Sequence, residues 1–239
     1  MSATIVLVHG AFADSSSWDG VVDALLAEGH RVVAFANPLR GVADDAAQLT
    51  ALVRAIDGPV LLVGHSYGGA VITNVPADAG EIAGLVYVAA FALAPGESCG
   101  DAATLTPGST LGETLEPVPL PGGGTDLRIA QERYRAQFCA DVAAEQATRM
   151  AVAQRPITER ALSEPSGADA LWSGVPSWFV FGDADLNIPA GAHRAMAERA
   201  GARGTTELAG GSHALGVSQP AAVAAVVLEA ARAVAVPAR

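Results

Sequence analysis

The order of apolar runs along these 239 residues predicts an α/β domain, a mostly parallel sheet with helices on both faces. Three observations carry this. Apolar runs of strand length alternate with longer amphipathic stretches, and runs that are apolar at every position belong to a sheet covered on both sides. The composition, 51% hydrophobic and 16% charged, supplies enough apolar surface for one core without a disulfide or metal staple. The length fits one large domain.

Thr4–Val8 reads as the first strand, and 19–28 as a helix with Val22, Leu25 and Leu26 facing inward. His30-Arg31 turns into a second strand, 32–36, which Asn37-Pro38 ends. Val42, Ala46, Leu49, Val53 and Ile56 then recur at helical spacing, with Asp44 and Asp45 in the first turn, where the helix dipole favours acids. Gly58-Pro59 stops this helix before a strand at 60–63. Residues 64–69 lead into a small-residue helix from Ala70 and a strand at 84–89. Strands are expected at 178–181 and 205–208, each followed by a helix. The last helix covers 219–234, with Ser218 as its cap and Pro220 in its first turn.

Residues 92–173 break the alternation. Pro107, Pro117, Pro119, Pro121 and Gly122-Gly123-Gly124 mark its irregular part, and 126–160 reads as helical, with Tyr134, Phe138, Val142 and Met150 as its larger apolar residues. An insertion this long inside a compact α/β domain is expected to act as a cap or lid. The expected organisation is a core of 1–92 and 174–239 interrupted by a cap at 93–173.

All 14 basic residues are Arg and the formal charge is −11. Without Lys there is no Schiff-base chemistry, no phosphate-binding P-loop lysine and no Ser-x-x-Lys acylation. The acidic balance argues against nucleic acid and anionic membranes as partners and leaves a small molecule. The two cysteines, Cys99 and Cys139, form no CxxC pair. Met1-Ser2-Ala3-Thr4 carries no basic residue and the apolar run behind it is too short for a secretion signal, so a cytoplasmic location is expected. The stretches without acids or Arg, 58–77 and 208–228, are interrupted by Gly, Pro, Ser and His and do not read as membrane spans.

The chemistry concentrates in Gly64-His65-Ser66-Tyr67-Gly68-Gly69, which sits between a predicted strand and a small-residue helix. A nucleophilic serine needs that context: a sharp, strained turn with glycines beside it and a helix N-terminus offering N–H groups to an oxyanion. His9-Gly10-Ala11-Phe12 leaves the same carboxyl edge of the sheet. Tyr67 and Ala11 would supply the two N–H groups of an oxyanion hole, with Phe12 the alternative to Ala11. Of the five histidines, His30 and His193 read as surface residues, His9 as structural, and His65 as adjacent to Ser66 but pointing elsewhere. His213, in Gly210-Gly211-Ser212-His213 between the last strand and the last helix, is the expected base. Two acids compete for the third role in Phe181-Gly182-Asp183-Ala184-Asp185. Asp183 follows the glycine immediately and can shape the turn, while Asp185 lies further into the loop and is preferred.

With these motifs the chain resembles the α/β-hydrolase superfamily over essentially its whole length, and within it the small cofactor-free enzymes similar to plant methylesterases and hydroxynitrile lyases. His9-Gly10-Ala11-Phe12 with Trp18, the turn at 64–69, Gly182-x-x-Asp185-x-x-Ile188-Pro189 and Ser212-His213 carry the resemblance. It implies that Asp185 is the acid, that a cap is inserted after the strand near residue 89, and that neither cofactor nor metal is used. It also implies entry into the sheet at the strand feeding the oxyanion loop, without the family's first two antiparallel strands. Hydroxynitrile lyases of this type carry a Lys after the histidine. Here Ala214 follows His213 and no Lys exists, which argues strongly against that activity.

The expected function is therefore hydrolysis of a small, apolar or aromatic carboxylic ester by Ser66, His213 and Asp185. Phe12, Trp18, Tyr67, Phe91, Phe138 and Trp172 are the candidates to line the pocket. Perhydrolysis, dienelactone-type hydrolysis and carbon–carbon bond hydrolysis use similar constellations. A non-catalytic small-molecule binding protein on the same fold is the rival from another class.

Overall fold

The computed structural model describes residues 2–235. Its main sheet has six strands in the order β2-β1-β3-β4-β8-β9. These are β1 (Thr4–Val8), β2 (Val32–Phe35), β3 (Val60–His65), β4 (Ile82–Val88), β8 (Ser177–Gly182) and β9 (Gly204–Leu208). Every neighbouring pair is parallel. The connections are α1 (Asp19–Ala27), α2 (Val42–Arg54), α3 (Tyr67–Thr73), α8 (Ala190–Arg199), α9 (Leu215–Ser218) and α10 (Pro220–Val234).

The continuous apolar runs exist because the two faces alternate within them. Ile5, Leu7, Leu61, Val63, Val86 and Val180 point to one side, under Val21 and Leu25 of α1 and Val223 and Val227 of α10. Val6, Val8, Leu62, Tyr87, Phe179 and Phe181 point to the other, under α2, α3 and α8. On α1 the inward positions are Val21 and Leu25, whereas Leu26 is 55% exposed, correcting the expectation that it faces the core. Leu25 and Leu26 stand about 100° apart on the helix, so only one of them can face a flat sheet. The helix after β3 begins at Tyr67 rather than Ala70, and α10 has Gln219 at its N-cap position, with Ser218 bonding backward to Ala214 O.

Residues between β4 and β8 hold α4 (Cys99–Ala103), α5 (Gln131–Phe138), α6 (Ala144–Ala153) and α7 (Glu159–Ser163). They also hold a small antiparallel sheet of β5 (Leu115–Pro119), β6 (Thr125–Ile129) and β7 (Ile157–Thr158). The expectation of continuous helix over 126–160 fails at both ends, where β6 and β7 pair with each other. In β6, Asp126-Leu127-Arg128-Ile129 alternates polar and apolar, a strand period that the neighbouring helices obscured. Among the described residues no helix is long and apolar enough to cross a membrane.

Candidate active site

The chain runs from β1 to β2 on one side and from β3 to β4 on the other, so the loops after β1 and β3 diverge and open a crevice at the carboxyl edge. Ser66 occupies the turn from β3 into α3 with φ +52° and ψ −123°. A non-glycine residue there carries strain of about 1–3 kcal/mol and persists only if its surroundings fix it. They do: Ser66 N–H donates to Val88 O (3.2 Å), and Ser66 O accepts from Gly69 and Phe91 N–H (3.0 and 3.1 Å). The β1 loop closes on this turn through Gly10, where a Cβ would lie 2.5 Å from the Cβ of Ser66. Only glycine permits that approach.

The β1 loop is held from both sides. Buried His9 accepts Asn37 N–H at Nε2 (3.1 Å), and Asn37 returns a side-chain N–H to His9 O (2.9 Å). Burial pushes the His9 pKa down, so it stays neutral in this role. Phe12, with φ +59°, donates its N–H to Arg155 O (3.1 Å) and accepts at its carbonyl from Tyr134 Oη–H (2.7 Å). Of the three expected oxyanion donors, Phe12 N–H is engaged, whereas Ala11 N–H and Tyr67 N–H are bonded to no backbone carbonyl among the described residues. Tyr67 is anchored by its hydroxyl, which donates to buried Asp45 (2.8 Å). That second duty of Asp45, beyond its place in the first turn of α2, is invisible to local sequence patterns.

The acid and histidine loops touch at Gly182, where a Cβ would fall 2.0 Å from Gly211 O. Asp183 shapes this junction, accepting Gly210 N–H (2.6 Å). Asp185 is wholly buried and faces His213, with Oδ2 to Nδ1 at 2.7 Å. Its Oδ1 accepts the N–H groups of Asn187 and Ile188 (2.8 and 3.0 Å). Burial by itself would raise the Asp185 pKa, but His213 and His193 outweigh it and hold the carboxyl well below the usual carboxylate range. His213 Nε2 is buried without a hydrogen-bond partner among the described residues.

His193 corrects the sequence expectation. It is buried rather than exposed, its Nε2 lies 3.3 Å from Asp185 Oδ2, and its ring stacks on Phe181. The adjacent Arg194 belongs to the outer side of α8, since consecutive helical residues do not share a face. His65 points away from the serine, as its adjacency implied, and donates Nε2–H to His213 O (3.0 Å). Burial and the nearby His213 push its pKa down to about 3.

Helix α5 touches all three loops. Tyr134 bonds the β1 loop; Gln137 donates to Leu186 O and Asn187 Oδ1 (2.9 and 2.8 Å); Phe138 packs against His213 and accepts Ala214 N–H at its carbonyl (3.1 Å). Sequence reasoning missed Gln137. The signal was its position three residues after Tyr134, a polar side chain on an apolar helical face.

A cavity of about 70 Å³ opens beside Ser66, lined by Ala11, Phe12, Tyr67, Phe91, Leu111 and Ile188. Phe12 and Phe91 were expected there. Trp18, Phe138 and Trp172 were expected as well, but they do not line it. Trp18 and Phe138 meet the ring of His65 from other sides, and Trp172 Nε1 donates to Leu93 O (2.9 Å). Trp18 and Phe138 line a smaller pocket that also touches His65.

Solved structures similar to this chain include polyneuridine aldehyde esterase, at 19% identity and TM-score 0.78, with 96% of this chain and 99% of that chain covered. A pyrethroid hydrolase from Sphingobium faniae JZ-2 matches at 21% identity and TM-score 0.76, covering 98% of each. The methylesterase MES16 from Arabidopsis matches at 19% identity and TM-score 0.79, covering 96% and 99%. A sequence comparison with curated proteins returned no match. At these identities the structures establish a shared fold, and the family follows from residues 5–226, which match the alpha/beta hydrolase family, to which this chain belongs.

Proposed function

We propose that the protein is a serine hydrolase that cleaves small apolar or aromatic carboxylic esters through an acyl-enzyme. The observation that carries the reading is the 2.7 Å contact between Asp185 Oδ2 and His213 Nδ1, at the sheet edge where Ser66 occupies a strained turn. Asp185 selects the His213 tautomer with its proton on Nδ1, which leaves the Nε2 lone pair to receive the Ser66 hydroxyl proton. Ser66 Oγ attacks the ester carbonyl, and the oxyanion is held by Ala11 and Tyr67 N–H groups, a few kcal/mol per donor. Collapse expels the alcohol with the proton from His213. Water, deprotonated by His213, then releases the acid and restores Ser66.

The apolar wall of Phe12, Phe91, Leu111 and Ile188 supports an apolar acyl or alcohol group. The similar structures, those of an esterase, a pyrethroid hydrolase and a methylesterase, support the same reading. In this reading 93–173 is the cap, its α5 bracing the three loops, and the partner is a small molecule that needs no cofactor. Free, buried Cys99 and Cys139 suit a cytoplasmic location. Hydrolysis of p-nitrophenyl acetate and butyrate by the native chain and by Ser66→Ala tests the reading. Turnover lost in the variant supports it. Equal turnover in both sinks it, and none in either across a wider ester panel sinks it in favour of a binding protein.

A further inference from the structure

We propose that His193 is a positioning residue for this site: it donates Nε2–H to Asp185 Oδ2, the same oxygen that accepts from His213 Nδ1, and so divides the carboxylate's charge between two imidazoles. The inference rests on the serine-hydrolase reading. The carboxylate meets four donors, with two backbone N–H groups on Oδ1 and the two histidines on Oδ2. At 3.3 Å against 2.7 Å, His193 is the weaker partner, placed to tune the acid rather than replace the base.

The ring is aimed and its tautomer determined. Stacking on Phe181, 4.9 Å between centroids and 16° between planes, fixes the imidazole plane. A proton on Nδ1 would find at most the backbone of Ala90 and would turn the Nε2 lone pair toward a carboxylate. A proton on Nε2 meets the carboxylate directly. Other titratable groups near the pair are His65, across from Asp185 and His213, and Glu207, which senses His193 from β9 while paired with Arg194.

Removing the Nε2–H should concentrate Asp185's charge on His213, make His213 harder to deprotonate, and move the acid limb of kcat/KM upward. His193→Phe keeps an aromatic ring on Phe181 but no donor; His193→Gln restores an N–H. For ester hydrolysis, His193→Phe is expected to lower kcat about 10-fold with KM little changed and to raise the acid limb by about half a unit. His193→Gln should recover most of both. An unmoved acid limb in His193→Phe, or equal losses in the two variants, would overturn the proposal. Histidine-labelled 15N spectra of the wild-type protein, which need no variant to fold, should show His193 protonated at Nε2; an Nδ1–H tautomer overturns it. A Ser66→Ala control separates the two claims. Turnover surviving there defeats the hydrolase reading, whereas turnover lost there with a wild-type profile in His193→Phe defeats only this inference.

Discussion

At the carboxyl edge of the sheet, Ser66, Asp185 and His213 ride on short turns that leave buried parallel strands, and glycines at positions 10 and 182 let those turns touch. The insertion above them reaches the same edge chiefly through one short helix, α5, whose Tyr134 bonds the β1 loop, Gln137 the acid loop and Phe138 the histidine loop, with Arg155 O and Thr110 N–H adding bonds to the first two. The first region fixes geometry by backbone and close packing. The second fixes it by a few polar bonds spanning long sequence separations. Damage at the edge should therefore remove chemistry, and damage in the insertion should loosen it.

The largest effect is expected at the edge. Asp185→Asn cannot hold the Nδ1–H tautomer of His213, and kcat should fall about 10³–10⁴-fold with KM little changed, measured on p-nitrophenyl esters.

Acid should act next, through the buried histidines of the core rather than the insertion. Burial depresses the pKa values of His9, His65 and His193, so the folded state keeps them neutral while the unfolded chain takes up protons below about pH 6.5. Their contribution is complete above that pH and is lost as pH falls toward about 3, the folded value of His65. Asp185, held below the usual carboxylate range, acts in the same direction at lower pH. Thermal melts should show Tm falling by about 10 °C between pH 7.5 and pH 5, for a loss of a few kcal/mol. A flat Tm would mean these histidines charge freely in the folded state.

In the insertion, Gln137→Leu leaves Asn187 Oδ1 without its donor among the described residues, leaves Leu186 O with Thr110 N–H alone, and should cost about 1–3 kcal/mol of stability with roughly 10-fold in kcat. Tyr134→Phe removes one bond to Phe12 O and should cost about 1 kcal/mol, read as a Tm drop of about 3 °C, with kcat down several-fold and KM changed less. If either variant damages kcat as severely as Asp185→Asn, the distinction between the two regions fails.

The same difference explains what the sequence made legible. The parallel sheet, its six strands along the chain and the loops at one edge were readable because buried parallel strands are apolar at every position and because Gly punctuates the turns behind them. The pairing of β5, β6 and β7 was not, since two-residue β7 has no period of its own and Ile157 pairs with Leu127 across 30 positions. His193 looked like a surface residue because Arg194 beside it is exposed; only packing shows which face of α8 meets the sheet. Asp45 read as a helix-start acid and is also the anchor of Tyr67, a contact across 22 positions that no local pattern encodes.

The most direct measurement is intact-protein and peptide mass spectrometry after treatment with a fluorophosphonate, comparing the wild-type chain, Asp185→Asn and Ser66→Ala. The account predicts one covalent adduct on the peptide carrying Ser66, formed much more slowly in Asp185→Asn and absent in Ser66→Ala. No adduct on the folded wild-type chain, or an adduct on another residue that survives Ser66→Ala, would contradict it.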